Sequence, residues 1–231
     1  MKWLLGVISA VSLTLVVLYV AIHIPTFSLQ TYANHYHSHN TANIIQISEQ
    51  ELMMVTERLV GYMRGTYPDI LIYATVAGEY RRFFTDREIY HMVDVLLLFN
   101  LGRILRNVSI VAVALTWLYA YKKSYITHFA KAYFYTGIAV LLYCALLAWL
   151  FATNFVLHFH IFHEIFFFFD QEQLWILDPS VDMLLNMVPY EFFINIATTI
   201  GIIFASAITA ITLTAGAYTL KMKGIKNGDI S

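Results

Sequence analysis

Apolar residues dominate four stretches of this chain, at about 3 to 24, 102 to 121, 132 to 157 and 192 to 220, with polar residues gathered between them. A helix that crosses a bilayer needs roughly 20 predominantly apolar residues, so the pattern predicts four transmembrane helices. Arg103 and Arg106 interrupt an apolar run that otherwise starts near Val95. Counted from Lys122 at about 1.5 Å per residue, they fall roughly 24 to 28 Å away, at the far edge of a ~30 Å core, where they can snorkel to the interface. The first run is longer than a signal-peptide core and shows no small-x-small cleavage site before Pro25. It reads as an uncleaved anchor.

The intervening segments carry shorter patterns. Residues 25 to 47 are rich in Tyr, His and Asn and are expected to be irregular. Ser48-Glu49-Gln50-Glu51 is a capping-box pattern with Ile47 and Leu52 as its staple, which predicts a helix from about 49 to 64 ending near Gly65. Residues 70 to 84 mix β-branched and aromatic types around Ala77-Gly78, predicting a short β-hairpin. A second capping box, Thr85-Asp86-Arg87-Glu88, with Phe84 and Ile89 as its staple, starts the helix that carries His91. Gly102 is the expected break between that helix and the second span. A straight helix would lift His91 roughly 46 Å above Lys122, well outside a ~30 Å core. Asp178-Pro179 is a turn signal, Pro189 belongs near the first turn of the last helix, and Glu191 favours that helix start through the macrodipole.

Composition agrees with a membrane solvent. Hydrophobic residues make up 59% of the 231 and charged residues only 13%, with a mean hydropathy of +0.64, too apolar for a soluble domain of this length. The formal net charge of -1 argues against a nucleic-acid partner, which would need many cations against phosphates. The single cysteine, Cys144, falls in an apolar run, so neither a disulfide framework nor a CxxC centre is expected. Lys2, Lys122, Lys123, Lys131, Lys221, Lys223 and Lys226 all fall on one side of the spans, which the positive-inside rule assigns to the cytoplasm. The expected fold is therefore an all-α polytopic membrane protein, a single membrane domain over 1 to 231 with both termini cytoplasmic. Residues 122 to 131 and 221 to 231 are inside. Residues 25 to 101 and 158 to 191 form a small extracytoplasmic cap of helices with the hairpin.

Two histidine-bearing stretches flank the lysine loop symmetrically: His91 precedes Lys122 by 31 positions and His163 follows Lys131 by 32. Both histidines then emerge on the same face at similar height, a candidate active site. On a helix, Glu88, His91 and Asp94 share one face. Because Glu88 is engaged by the capping box, Asp94 is the better group to fix a tautomer of His91, making it a general base or simply a hydrogen-bonded interface residue. His158, His160 and His163 with Glu164, together with His35, His37 and His39, form an alternative reading as a metal-dependent membrane enzyme, since imidazole and carboxylate suit zinc or copper. A non-enzymatic membrane scaffold is a further alternative. Ser180 reads as a turn residue, Thr85 as a cap and Cys144 as core, so no side chain stands out as a covalent nucleophile.

The segments FFTDREIYHMVDV (83 to 95), FHEIFF (162 to 167) and LWILDPSVDMLLNMVPYEFF (174 to 193) resemble the four-span bacterial membrane proteins that include the lipoprotein intramolecular transacylase. The aromatic run and Asp170-Gln171-Glu172-Gln173 before Trp175 form a longer linker than is usual in this motif. The resemblance implies that His91 and His163 are the paired extracytoplasmic catalytic residues. Asp94 and Glu88, by their helix spacing, are expected to support them, as are Arg103, Arg106 and Asp178, either arginine being an alternative to His91 for stabilising an oxyanion. The resemblance also implies transfer of the sn-2 acyl chain of a diacylglyceryl-cysteine lipoprotein to the α-amino group of the same cysteine, giving an N-acyl lyso-form lipoprotein. Neither metal nor cofactor is then expected. The expected partners are diacylglyceryl-modified lipoproteins and membrane phospholipid, and the expected location is the cell membrane.

Overall fold

The computed structural model describes residues 1 to 168 and 172 to 228. The element order is α1 (Lys2–Thr26), α2 (Leu29–His39), α3 (Thr41–Ile45), α4 (Glu49–Arg64), β1 (Tyr73–Val76), β2 (Glu79–Arg82), α5 (Asp86–Lys122), α6 (Ile126–Thr153), α7 (Phe155–Phe166), α8 (Met183–Met187) and α9 (Tyr190–Gly228). Among the described residues, four helices are long and apolar enough to cross a membrane: Lys2–Thr26, Asp86–Lys122, Ile126–Thr153 and Tyr190–Ile225. The chain has a four-span, mostly helical fold with one small antiparallel sheet. It divides into two compact units, and α1, α5 and α9 contribute residues to both.

The first unit comprises residues 1–22, 102–153 and 199 onward. Leu115, Leu118, Leu142, Trp149 and Leu213 remain exposed on its helices, as apolar residues facing lipid do. Helix contacts are made by small residues and polar glue. Ser9 Oγ bonds Tyr133 Oη at 2.8 Å, Thr116 Oγ1 donates to Ser9 Oγ at 2.9 Å, and Trp117 Nε1 donates to Tyr133 Oη at 2.9 Å. Gly137 faces Thr212 so closely that a Cβ placed there would meet Thr212 Oγ1 at 1.9 Å.

The second unit, residues 23–101 and 154–198, packs around Phe27, Leu52, Val55, Leu59, Ile70, Phe83 and Phe84 together with Leu184, Met187 and Phe192. The Ser48 cap forms as predicted: its Oγ accepts the Glu51 N–H at 3.2 Å and α4 ends at Gly65. Glu51 does not reach back to the cap's own N–H in the reciprocal bond of a full capping box. Its carboxylate accepts instead from the Ser48 hydroxyl and from Thr75 N, tying α4 to the hairpin. Ala77 (φ 53) and Gly78 (φ 83) make the two-residue turn between β1 and β2, both residues left-handed as a type I′ hairpin turn requires.

Several expectations need correction. Residues 25 to 47 are helical over α2 and α3, although Tyr, His and Asn are poor helix formers. Burial of Tyr32, Tyr36, Ala42 and Ile45 overrides propensity here, and Asn40 and Gln46 in left-handed conformations end the two helices. The predicted break at Gly102 does not occur, and α5 runs without interruption from Asp86 to Lys122. A helical glycine costs only about 1 kcal/mol, and at Gly102 the Tyr19 ring lies 3.6 Å from where a Cβ would be. The third apolar stretch stops at Thr153 rather than 157, because Asn154 turns out of the helix and caps α7, accepting the Leu157 N–H at 3.0 Å. The linker departure noted at Asp170-Gln171 lies outside the described residues.

Candidate active site

His91 and His163 both belong to the second unit. The local sequence delivers His91 through the Thr85 cap. Thr85 N donates to Glu88 Oε2 at 2.6 Å and Glu88 N donates to Thr85 Oγ1 at 3.3 Å, the reciprocal pair of a full capping box. His91 follows one turn later. His163 is delivered by the last turn of α7, itself started by the Asn154 cap.

The two imidazoles face each other with ring centroids 6.2 Å apart, and they are 7% and 8% exposed. Phe167 contacts both, at 5.3 Å from His91 and 5.5 Å from His163. Trp175 stacks on His163 at 5.2 Å and Phe159 lies 4.3 Å away. His163 Nδ1 is 2.7 Å from the Phe159 carbonyl oxygen. A carbonyl can only accept, so Nδ1 carries the proton and, in the neutral ring, Nε2 carries the lone pair. Burial pushes the His163 imidazole below the usual histidine range. The Phe159 hydrogen bond opposes that shift, and neighbouring His160 adds to it. The ring is thus held neutral and oriented, the state a general base requires.

The remaining predicted residues are placed unevenly. Glu88 is fully buried, at 0% exposure, and besides the cap it accepts Leu184 N at 2.5 Å. Asp94 is half-buried one turn beyond His91 on α5. Asp178 is exposed, accepts from Ser180 N and Ser180 Oγ, and is held below the usual carboxylate range by those two bonds. It makes a turn, as Ser180 was expected to. Arg103 and Arg106 belong to the first unit, and the Arg106 guanidinium lies over the Tyr19 ring at 4.5 Å. His158 Nδ1 pairs with the Asn154 carbonyl at 2.7 Å, and His160 Nε2 lies 3.4 Å from Tyr190 Oη. Among the described residues no three His, Cys, Asp or Glu side chains gather as a metal-binding group. The alternative built on His158, His160 and His163 therefore lacks its geometry.

Trp175, which stacks on His163, and Asp182, which accepts the Thr85 hydroxyl, were not singled out in the sequence. Trp175 was noted only as the end of a linker. Asp182, 4% exposed, went unmarked, although an acid immediately before Met183-Leu184-Leu185 is itself a helix-start signal.

Fold and site together define a multi-pass helical membrane protein with a buried, aromatic-walled histidine pair. Residues 7–193 match the sequence profile of the lipoprotein intramolecular transacylase Lit family, and the chain belongs to that family. No curated protein matches the chain. Among solved structures it is similar to the membrane integral lipoprotein intramolecular transacylase Lit from Bacillus cereus. The TM-score is 0.73 at 18% identity, over 97% of this chain and 98% of that one. A histidine-to-arginine variant of the same Bacillus cereus protein gives 0.72 at 17% identity over 98% and 95%, and a histidine-to-alanine variant gives 0.72 at 18% over 97% and 96%. At such identities the likeness is one of fold.

Proposed function

We propose that this enzyme moves the sn-2 acyl chain of a diacylglyceryl-cysteine lipoprotein onto the α-amino group of the same cysteine, with His163 and His91 as its catalytic residues. The observation that carries this reading is the fixed tautomer of His163 beside a second buried imidazole. His163 Nε2 takes a proton from the amine as nitrogen attacks the ester carbonyl. The C–N bond forms, the ester C–O bond breaks, and the proton is returned to the departing glycerol oxygen. The products are an amide and a free sn-2 hydroxyl, with no oxidation or reduction.

His91 donates to the oxyanion of the tetrahedral intermediate. Two imidazolium rings at 6.2 Å would repel by about 3 kcal/mol at an effective dielectric near 20. The pair therefore works with at most one ring charged: His91 stays neutral and donates its N–H to the oxyanion while His163 holds the proton taken from the amine. Amine and ester belong to one substrate, so holding them in attack geometry can supply roughly 7 to 11 kcal/mol, and no enzyme nucleophile is needed. Asp94 orients His91 in this scheme. Membrane phospholipid surrounds the spans and the diacylglyceryl group enters from it.

The proposed topology puts both termini in the cytoplasm and the histidine pair on the extracytoplasmic face. Mass spectrometry of the N-terminal lipopeptide of a resident lipoprotein, with and without this protein, tests the reaction. One acyl chain moved from glycerol to nitrogen is expected, and unchanged acylation would defeat it. Labelling of single cysteines placed at Ser38 and Lys123, with the native Cys144 replaced by Ala, by a membrane-impermeant reagent tests the topology. Reaction at position 38 and not at 123 is expected, and the reverse pattern would invert the assignment.

A further inference from the structure

Asp182 and Glu88 are two acids buried next to each other, and all four of their carboxylate oxygens are engaged. Glu88 Oε2 accepts Thr85 N and Oε1 accepts Leu184 N. Asp182 Oδ1 accepts the Thr85 hydroxyl at 2.8 Å and Oδ2 accepts Asp178 N at 2.8 Å. Thr85 is the hub, since its hydroxyl also accepts from Glu88 N. Capping α5 requires only Thr85 and Glu88. Asp182 lies 97 positions away in sequence and is surplus to the cap, and its burial is compensated by the bonds to Thr85 and Asp178 that join the two segments.

What Asp182 secures is the segment from 174 to 188. Arg87 Nη1 adds a bond to the Ile176 carbonyl at 2.9 Å, one residue after Trp175. The segment is therefore tied to the first turn of α5 at residues 176, 182 and 184. That turn immediately precedes His91, and the tied segment carries the indole that stacks on His163.

We propose that Thr85 and Asp182 are positioning residues for the acyl-transfer site: with Glu88 they clasp the 174 to 188 segment to the start of α5, holding Trp175 against His163 and His163 against His91. The inference rests on the reading of the histidine pair given above. The clasp touches neither ring and acts through Trp175 and the helix turn. Its consequence is that His163 stays desolvated and correctly aimed only while the clasp is closed.

The test uses the full chain with Trp3, Trp117 and Trp149 changed to Phe, leaving Trp175 as its indole. Imidazolium quenches an adjacent indole, and the His160 ring also lies 5.3 Å from Trp175, so the test adds His160→Gln to this background, in which Trp175 emission rises with pH in a step that His163→Gln removes. In Thr85→Val and Asp182→Asn, the step is expected to shrink and its midpoint to move up toward the ordinary histidine value of about 6.5. Transacylation of a lipoprotein in phospholipid vesicles is expected to fall on the order of 10²-fold, the effect of a misplaced reacting group. Thr85→Ser keeps the hydroxyl and restores both readouts. If both Thr85→Val and Asp182→Asn, folded as judged by thermal unfolding, keep the parent step, the clasp is overturned whatever their activity. It is equally overturned if Thr85→Ser fails as badly as Thr85→Val. A shifted step in the variants, in a protein whose parent form leaves lipoprotein acylation unchanged, supports the clasp and removes the acyl-transfer reading instead.

Discussion

Replacing His163 in two ways separates its chemistry from its packing. In His163→Asn the amide nitrogen falls near the position of Nδ1 and keeps the bond to the Phe159 carbonyl, but the ring is lost. Its contacts with Phe159, Trp175 and Phe167 at 4.3, 5.2 and 5.5 Å go with it, at about 0.5 to 1.5 kcal/mol each. A stability loss on the order of 3 kcal/mol is expected. In His163→Phe the ring contacts survive and one hydrogen bond is lost, about 1 kcal/mol. Neither variant has a lone pair at the Nε2 position, so both should lose the roughly 10² to 10⁴-fold that a general base contributes. The assay is the rate of N-acyl lipopeptide formation in vesicles, read by mass spectrometry alongside thermal unfolding. A packing role predicts activity that follows stability, with Phe close to the parent. A base predicts near-equal losses despite unequal stabilities. If folded His163→Phe keeps more than about a tenth of the parent rate, against the 10²-fold minimum expected for a base, the assignment fails.

The parent rate should fall as pH drops in two steps. The substrate's α-amine, with an ordinary value of about 7.7 to 8.0, must be neutral to attack. His163 adds a second step below the ordinary histidine value of about 6.5, because burial favours its neutral form; a profile in which His163→Gln removes no step below that value would contradict the desolvated site. Stability should follow the same sign. His35 and His163 both have folded values lowered first of all by burial, so the unfolded chain binds more protons and stability is lost as pH falls from about 6.5 through the folded values. His35 is 6% exposed and neither ring nitrogen has a hydrogen-bond partner. His35→Phe should therefore raise stability by about 1 to 3 kcal/mol and flatten the acid slope, measured as thermal midpoints at pH 5.5 and 7.5; an unchanged slope would show that His35 does not contribute. In the first unit, Gly137→Ala should cost about 1 to 3 kcal/mol by overpacking against Thr212, since its Cβ would meet Oγ1 at 1.9 Å. Adding Thr212→Ala, which leaves a Cβ contact of 3.1 Å, should recover most of that loss; additive effects of the two changes would refute the close approach.

The parts of the fold legible in the sequence are those written in local chemistry. Four apolar runs gave the four candidate spans, Ser48 and Thr85 marked two helix starts, and Ala77-Gly78 marked the hairpin turn. The parts that were not legible depend on distant partners. Residues 29 to 45 lack helix propensity and are helical because Tyr32 and Tyr36 reach the core shared with Phe192. Gly102 looks like a break by composition, but a single glycine's cost is small within a 37-residue helix. The sequence offered Asp94 to fix a tautomer of His91 and offered nothing for His163, whose partner is a backbone carbonyl four residues back, which any residue at 159 would provide.

The same distinction explains why the histidines could be found by counting while their surroundings could not. A catalytic imidazole has few substitutes, so its residue type is visible wherever it falls in the chain. Orienting and desolvating it can be done by many combinations of aromatic rings and hydrogen bonds, and here they come from segments at 85 to 91, 159 to 167 and 175 to 184. No local pattern links these segments; Thr85 and Asp182 meet across 97 positions. If the base at His163 depends on such a clasp, substitutions at the second pair should alter the pH dependence of the reaction as well as its rate. Substitutions confined to the packing of the first unit, such as Gly137→Ala, should change stability and leave that pH dependence unmoved.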